Sequence, residues 1–76
     1  MKENLELIIK GLVKNKDEVT ISEEVNNNFV LYKVKVNPED MGKVIGKEGK
    51  IAKAIRTLMK SLANAEKKVV SVKFVD

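Results

Sequence analysis

The sequence predicts an α+β fold in the order α-β-β-α-α-β, a three-stranded sheet with helices packed on one face. Three observations carry that expectation. Apolar residues recur at helical spacing near the start of the chain and again over residues 51–65. They alternate with polar residues over 30–36 and 70–74. Strong punctuation, Asn37-Pro38 and the glycines at 46 and 49, separates these segments. Sheet and helices must bury one apolar face each, and a two-layer domain over residues 1–76 is the simple way to do so.

The first helix is expected over 3–15. Leu5, Ile8, Ile9 and Leu12 follow the i, i+3, i+4, i+7 pattern, with Glu3 and Glu6 near its start and Lys10 and Lys14 near its end. Lys16-Asp17 reads as a turn. Val19, Ile21 and Val25 outline a first strand, interrupted on its apolar side by Glu23. Asn26-Asn27-Asn28 is a turn, because Asn tolerates the left-handed region. In the second strand Val30, Tyr32, Val34 and Val36 face one way, and Leu31, Lys33 and Lys35 the other. The pattern favours an antiparallel-leaning sheet.

Asn37 is placed to cap a short helix, Pro38 suits its first position, and Asp40 is placed to complete a capping box. That role also accounts for the adjacent acids Glu39 and Asp40 without a catalytic or metal site. The short helix ends near Ile45, with Gly46 terminating it. A longer helix spans about 50–65 with a buried stripe of Ile51, Ala54, Ile55, Leu58, Leu62 and Ala65, and Met59 beside it. Val70, Val72 and Phe74 form the last strand.

Composition narrows the function. The chain of 76 residues has neither Cys nor His. Disulfides, thiolate metal sites and histidine acid–base catalysis are therefore excluded. No cofactor or small-molecule substrate is expected. No apolar run approaches the ~20 residues of a membrane span, and the acidic start of the chain does not read as a signal peptide. A cytoplasmic protein is expected. The net charge of +4 is uneven: residues 1–40 hold six Lys against eight acids, and residues 41–76 hold eight Lys and one Arg against three acids. A basic second half fits a polyanion partner.

The stretch Val44-Ile45-Gly46-Lys47-Glu48-Gly49-Lys50-Ile51 sits between the two helices. Glycines let a backbone approach another closely, and N–H groups at a helix start favour anions. It is not a P-loop: three residues rather than four separate Gly42 from Gly46, and Glu48 replaces the hydroxyl residue. A helix-turn-helix is disfavoured, because the second helix offers mainly Lys, which suits phosphate better than base edges.

The stretch resembles the Val-Ile-Gly-x-x-Gly-x-x-Ile signature of KH domains, with its Ile one place early. Together with the order of elements, it is similar to the type II, bacterial-style KH fold. Over nearly its whole length, notably Asp40–Lys47 and Ala54–Leu58, the chain resembles the small bacterial single-KH RNA-binding proteins. The resemblance implies a G-x-x-G loop that clamps single-stranded RNA over about four nucleotides. Gly46, Lys47, Glu48 and Gly49 would form the clamp, with Lys50 at its helix start. Ile45, Ile51 and Ile55 would be candidates to wall the bases, Ile55 also suiting the core, and strand residues around Val34 would close the far side. Lys43, Lys53 and Arg56 would extend the positive track. The resemblance further implies an RNA chaperone or post-transcriptional regulator linked to cell-envelope growth and cell shape. It implies a homodimer, or a heterodimer with a larger KH-containing RNA-binding protein. Glu48 repels phosphate unless it points into water, and exposed aromatics are scarce, so binding is expected to be weak and weakly selective. The alternative is a protein-interaction module that meets RNA only through a partner.

Overall fold

The structure is a computed structural model and describes residues 1–75. Helix α1 (Lys2–Leu12) leads through a 3₁₀ turn at Lys16–Glu18 to strands β1 (Thr20–Asn26) and β2 (Phe29–Lys35). A 3₁₀ turn at Pro38–Asp40 enters helix α2 (Met41–Ile45), and a tight turn at Lys47–Gly49 joins it to α3 (Lys50–Ala65). Strand β3 (Val69–Val75) follows. The predicted α+β order and three-stranded sheet hold, and the architecture is that of a type II KH fold.

The sheet order is β1-β2-β3, with β1 antiparallel and β2–β3 parallel. The sheet is thus mixed rather than antiparallel-leaning. The reason is topological: the α2–α3 pair is a crossover, and a crossover returns the chain in its original direction. Val30, Tyr32, Val34, Val70 and Val72 turn towards the helices and pack with Leu5, Ile9, Val44, Ile55 and Met59. The opposite face of the sheet carries no helix. The hairpin closes through Asn27-Asn28, with Asn26 paired to Phe29 and Asn27 in the left-handed region at φ 57°. Glu23, which interrupts the apolar pattern of β1, accepts a hydrogen bond from the Tyr32 hydroxyl at 2.7 Å. Burial, and then that carboxylate, push the Tyr32 hydroxyl up, so it stays protonated.

Three expectations are corrected here. Helix α1 stops at Leu12, not 15, because Val13 is extended (ψ 156°) and the next two N–H groups bond elsewhere. They donate to Asp40: Lys14 N–H to Oδ1 at 3.1 Å and Asn15 N–H to Oδ2 at 2.9 Å. Asp40 therefore forms no capping box. It is a fully buried carboxylate that ties the end of α1 to the entrance of α2. The Asn15 side-chain amide at 3.0 Å and the Lys43 ammonium at 3.4 Å complete its shell. Asn37 does cap its turn, its side-chain oxygen accepting the Glu39 N–H at 2.8 Å.

The buried side of α3 is the third correction. Ala52, Ile55, Met59 and Ala63 are buried, Ile51 and Leu62 are half-buried, and Ala54, Leu58 and Ala65 are exposed. At 100° per residue the core side is rotated by roughly a quarter turn from the expected stripe. Ile55, Met59 and Ala63 join the core cluster with the sheet residues, and Ala52 is buried outside it.

Candidate nucleic-acid interface

The turn between α2 and α3 has an unusual backbone. Gly46 (φ 78°), Glu48 (φ 59°) and Gly49 (φ 74°) all have positive φ. Gly46 ends α2, its N–H reaching the Gly42 carbonyl at 2.9 Å. A Cβ on Gly46 would meet Ile51 Cγ1 at 2.6 Å and the Ile51 backbone nitrogen at 2.9 Å, so only glycine fits. A Cβ on Gly49 would meet nothing within 4 Å, which leaves that side of the turn open. Glu48 adopts the left-handed region without being glycine, at a cost of ~1–2 kcal/mol. Lys47 and Glu48 are exposed, so the carboxylate stands in water.

Gly49 is also the N-cap of α3, and no side chain caps that end. The Gly49 and Lys50 N–H groups bond back to the Gly46 and Lys47 carbonyls, so the 16-residue helix starts on a tight turn beside two glycines and Lys47, with no acid in its first turn. A helix start of this kind favours an anion. Lys50, Lys53, Arg56 and Lys60 then recur at intervals of three or four and, with Thr57, share one side of α3. Lys53, Arg56, Thr57 and Lys60 line a groove of about 340 Å³, whose other wall is Val70, Ser71 and Val72 of β3. Arg56 Nε donates to the Val72 carbonyl at 3.2 Å, and the guanidinium lies 5.5 Å from the centre of the Phe74 ring.

The structure brings Gly46, Lys47, Glu48, Gly49, Lys50, Lys53 and Arg56 together on this rim. It does not bring Val34 there. Val34 lies in the central strand and is fully buried against the helices, so β3 supplies the far wall instead. Ile45 and Ile51 are half-buried and pack against the core beneath the turn. Lys43 is drawn towards buried Asp40, which neutralises its charge. Sequence reasoning did not assign the β3 wall or Thr57. The signal available was the parallel crossover, which puts β3 at the edge nearest α3.

Among the described residues no group of three or more His, Cys, Asp or Glu could hold a metal ion, and no helix is long and apolar enough to cross a membrane. Known proteins agree with this architecture. The family model of the KhpA/KhpB KH domain matches residues 2–74. RNA-binding protein KhpA of Clostridium acetobutylicum is 52% identical over 75 residues, covering 99% of this chain and 100% of that protein. The KhpA of Clostridium perfringens is 48% identical with the same coverage. That of Chlamydia trachomatis is 42% identical over 76 residues, covering 100% of this chain and 97% of its own. The glycine turn, the uncapped helix, the parallel crossover and these matches lead to one assignment: the chain belongs to the KhpA/KhpB family of KH domains, a small, non-enzymatic family.

Proposed function

We propose that this protein binds single-stranded RNA through the Gly46–Gly49 turn and the basic groove that continues from it. The observation that carries the reading is the start of α3, which no side chain caps and whose first turn holds no acid, beside two left-handed glycines and leading onto Lys50, Lys53, Arg56 and Lys60. Phosphates lie on the turn, held by backbone N–H groups and by Lys47 and Lys50, while bases lie between α3 and β3. Relatives named as RNA-binding proteins support the choice of ligand. Most of the groove contacts are charge or backbone contacts, so binding is weak and weakly selective. The protein then acts in the cytoplasm as an RNA chaperone or post-transcriptional regulator, with consequences for cell-envelope growth and cell shape.

A second reading is favoured by one observation. Ala54, Leu58 and Ala65 form an exposed apolar strip on α3, with Leu58 46% exposed. Small residues flanking a leucine allow a second helix to approach closely. We propose that this strip mediates association, as a homodimer or with a larger KH-containing RNA-binding protein. Two linked grooves would then raise the affinity of a weak single site.

Fluorescence anisotropy of a labelled single-stranded RNA across a salt series tests the clamp. About three neutralised phosphates give a log–log slope near −2. Lys47→Asp, folded by circular dichroism, weakens binding about tenfold and flattens the slope by roughly 0.7. Equal binding by both proteins moves the contact away from the turn. No binding by either leaves the association reading.

A further inference from the structure

The uncovered face of the sheet is not an ordinary solvated surface. By register it carries Phe29, Leu31, Lys33 and Lys35 from β2, and Val69, Ser71, Lys73 and Val75 from β3. Strand β1 adds Thr20, Ser22, Glu24 and Asn26. Phe29 is 40% exposed and Val69 54% exposed, side by side at one end. Leu31 is half-buried and stands outside the core cluster. Parallel strand pairs are ordinarily covered on both faces. Here the parallel β2–β3 pair is covered on one, and its bare face is part aromatic and aliphatic.

The charge on this face is also telling. Lys33 and Lys73 occupy paired positions on adjacent strands. Strand spacing of about 4.8 Å puts their stems side by side, a placement that like charges resist. Lys35 lies two residues further along β2. The only acid among these twelve residues is Glu24, 3.9 Å from Lys33. An aromatic ring at one end of β2, about 13 Å along the strand from the lysine pair, offers a base a stacking surface in line with a positive track for phosphates. Finally, β3 belongs to both faces. Val70–Val72 wall the groove, and Lys73 stands on the bare side.

We infer that the bare sheet face is a second single-stranded RNA surface, which continues the path of a strand leaving the groove over the edge of β3. The next phosphates meet Lys73, Lys33 and Lys35, and a base stacks on Phe29 against Val69 and Leu31. The inference extends the clamp reading and rests on it for the chemistry of the ligand. It makes the RNA footprint longer than one groove can account for.

Anisotropy with single-stranded RNAs of 4 and 12 nucleotides tests it, using wild type, a Lys33→Gln/Lys73→Gln double variant and Phe29→Leu, each checked for folding by circular dichroism. The expected result has three parts. Wild type binds the 12-mer at least about tenfold more tightly than the 4-mer. The double variant loses most of that gain, and its salt slope for the 12-mer falls by about 1.4, two phosphates at roughly 0.7 each. Phe29→Leu, which keeps apolar bulk and removes the ring, weakens the 12-mer about fivefold or more. The 4-mer binds all three proteins alike. Unchanged 12-mer affinity in both variants, with loss only on Lys47→Asp, overturns the inference and leaves the clamp standing. Loss in the sheet variants with Lys47→Asp unaffected does the reverse. If the variants alter the sedimenting mass and not RNA affinity, the face docks protein and the inference falls. If wild type binds neither RNA, both readings fall.

Discussion

Gly46 and Gly49 share a left-handed φ but not a neighbourhood. Ile51 crowds the Cβ position of Gly46, while that of Gly49 faces open space. Gly46→Ala therefore adds overpacking to the conformational cost, and destabilises the fold by about 3 kcal/mol. Gly49→Ala meets only the conformational cost, about 1 kcal/mol. Thermal melts separate them: on the order of 4–8 °C per kcal/mol is expected for a domain this small. Asp40 gives a second prediction at this scale. The Asn15 N–H is the main cause that lowers its carboxyl from 3.8 to about 2, with burial opposing and Lys14, the Asn15 amide and Lys43 assisting. A carboxyl depressed in the folded state stabilises it above its ordinary pKa and loses that contribution as pH falls towards 2. Asp40→Asn therefore melts lower than wild type at pH 7, and the two converge between about pH 4 and pH 2. Parallel melts across that range check it. The glycine turn was legible in the sequence because its conformational demand is local. The role of Asp40 was not, because its partners are backbone groups 25 residues away.

Helix α3 has three sides with three tasks. One packs into the core through Ile55, Met59 and Ala63; one lines the groove with Lys53, Arg56, Thr57 and Lys60; one is the exposed Ala54–Leu58–Ala65 strip. The limits of this helix were readable, since Gly49 precedes it and periodicity runs unbroken to Ala65. Its phase was not. Leu58 and Ala54 are as apolar as core residues, so a pattern that scores only hydrophobicity assigned them inward. An exposed leucine with alanine neighbours predicts an association surface. Leu58→Asp should give the monomer mass by sedimentation at concentrations where wild type is dimeric, with the melting temperature of the isolated domain little changed. A wild-type monomer at high micromolar concentration would rule out the homodimer.

At the scale of the molecule, charge separates an acidic first half from a basic second half. The acidic first half supplies α1 and β1, and the basic second half supplies the turn, the groove and β3. The alternation along β2 and β3 showed which residues face the helices, but it does not encode strand direction. Only the crossover through α2 and α3 decides that, and with it which strand lies at the groove. This is why Val34 was a natural guess for the far wall and Val70–Val72 are the residues that form it.

The bond from Arg56 Nε to the Val72 carbonyl bears on more than the groove. Strand β3 reads Val69-Val70-Ser71-Val72-Lys73-Phe74-Val75 and lies at the margin of the sheet. Such a margin, rich in valine and left bare, is a template on which another chain can add as a strand and start a fibre. Arg56 occupies a main-chain acceptor near its middle, and Lys73 adds a charge beside it. The same guanidinium that lines the candidate RNA groove thus also holds a main-chain acceptor that an added strand would need.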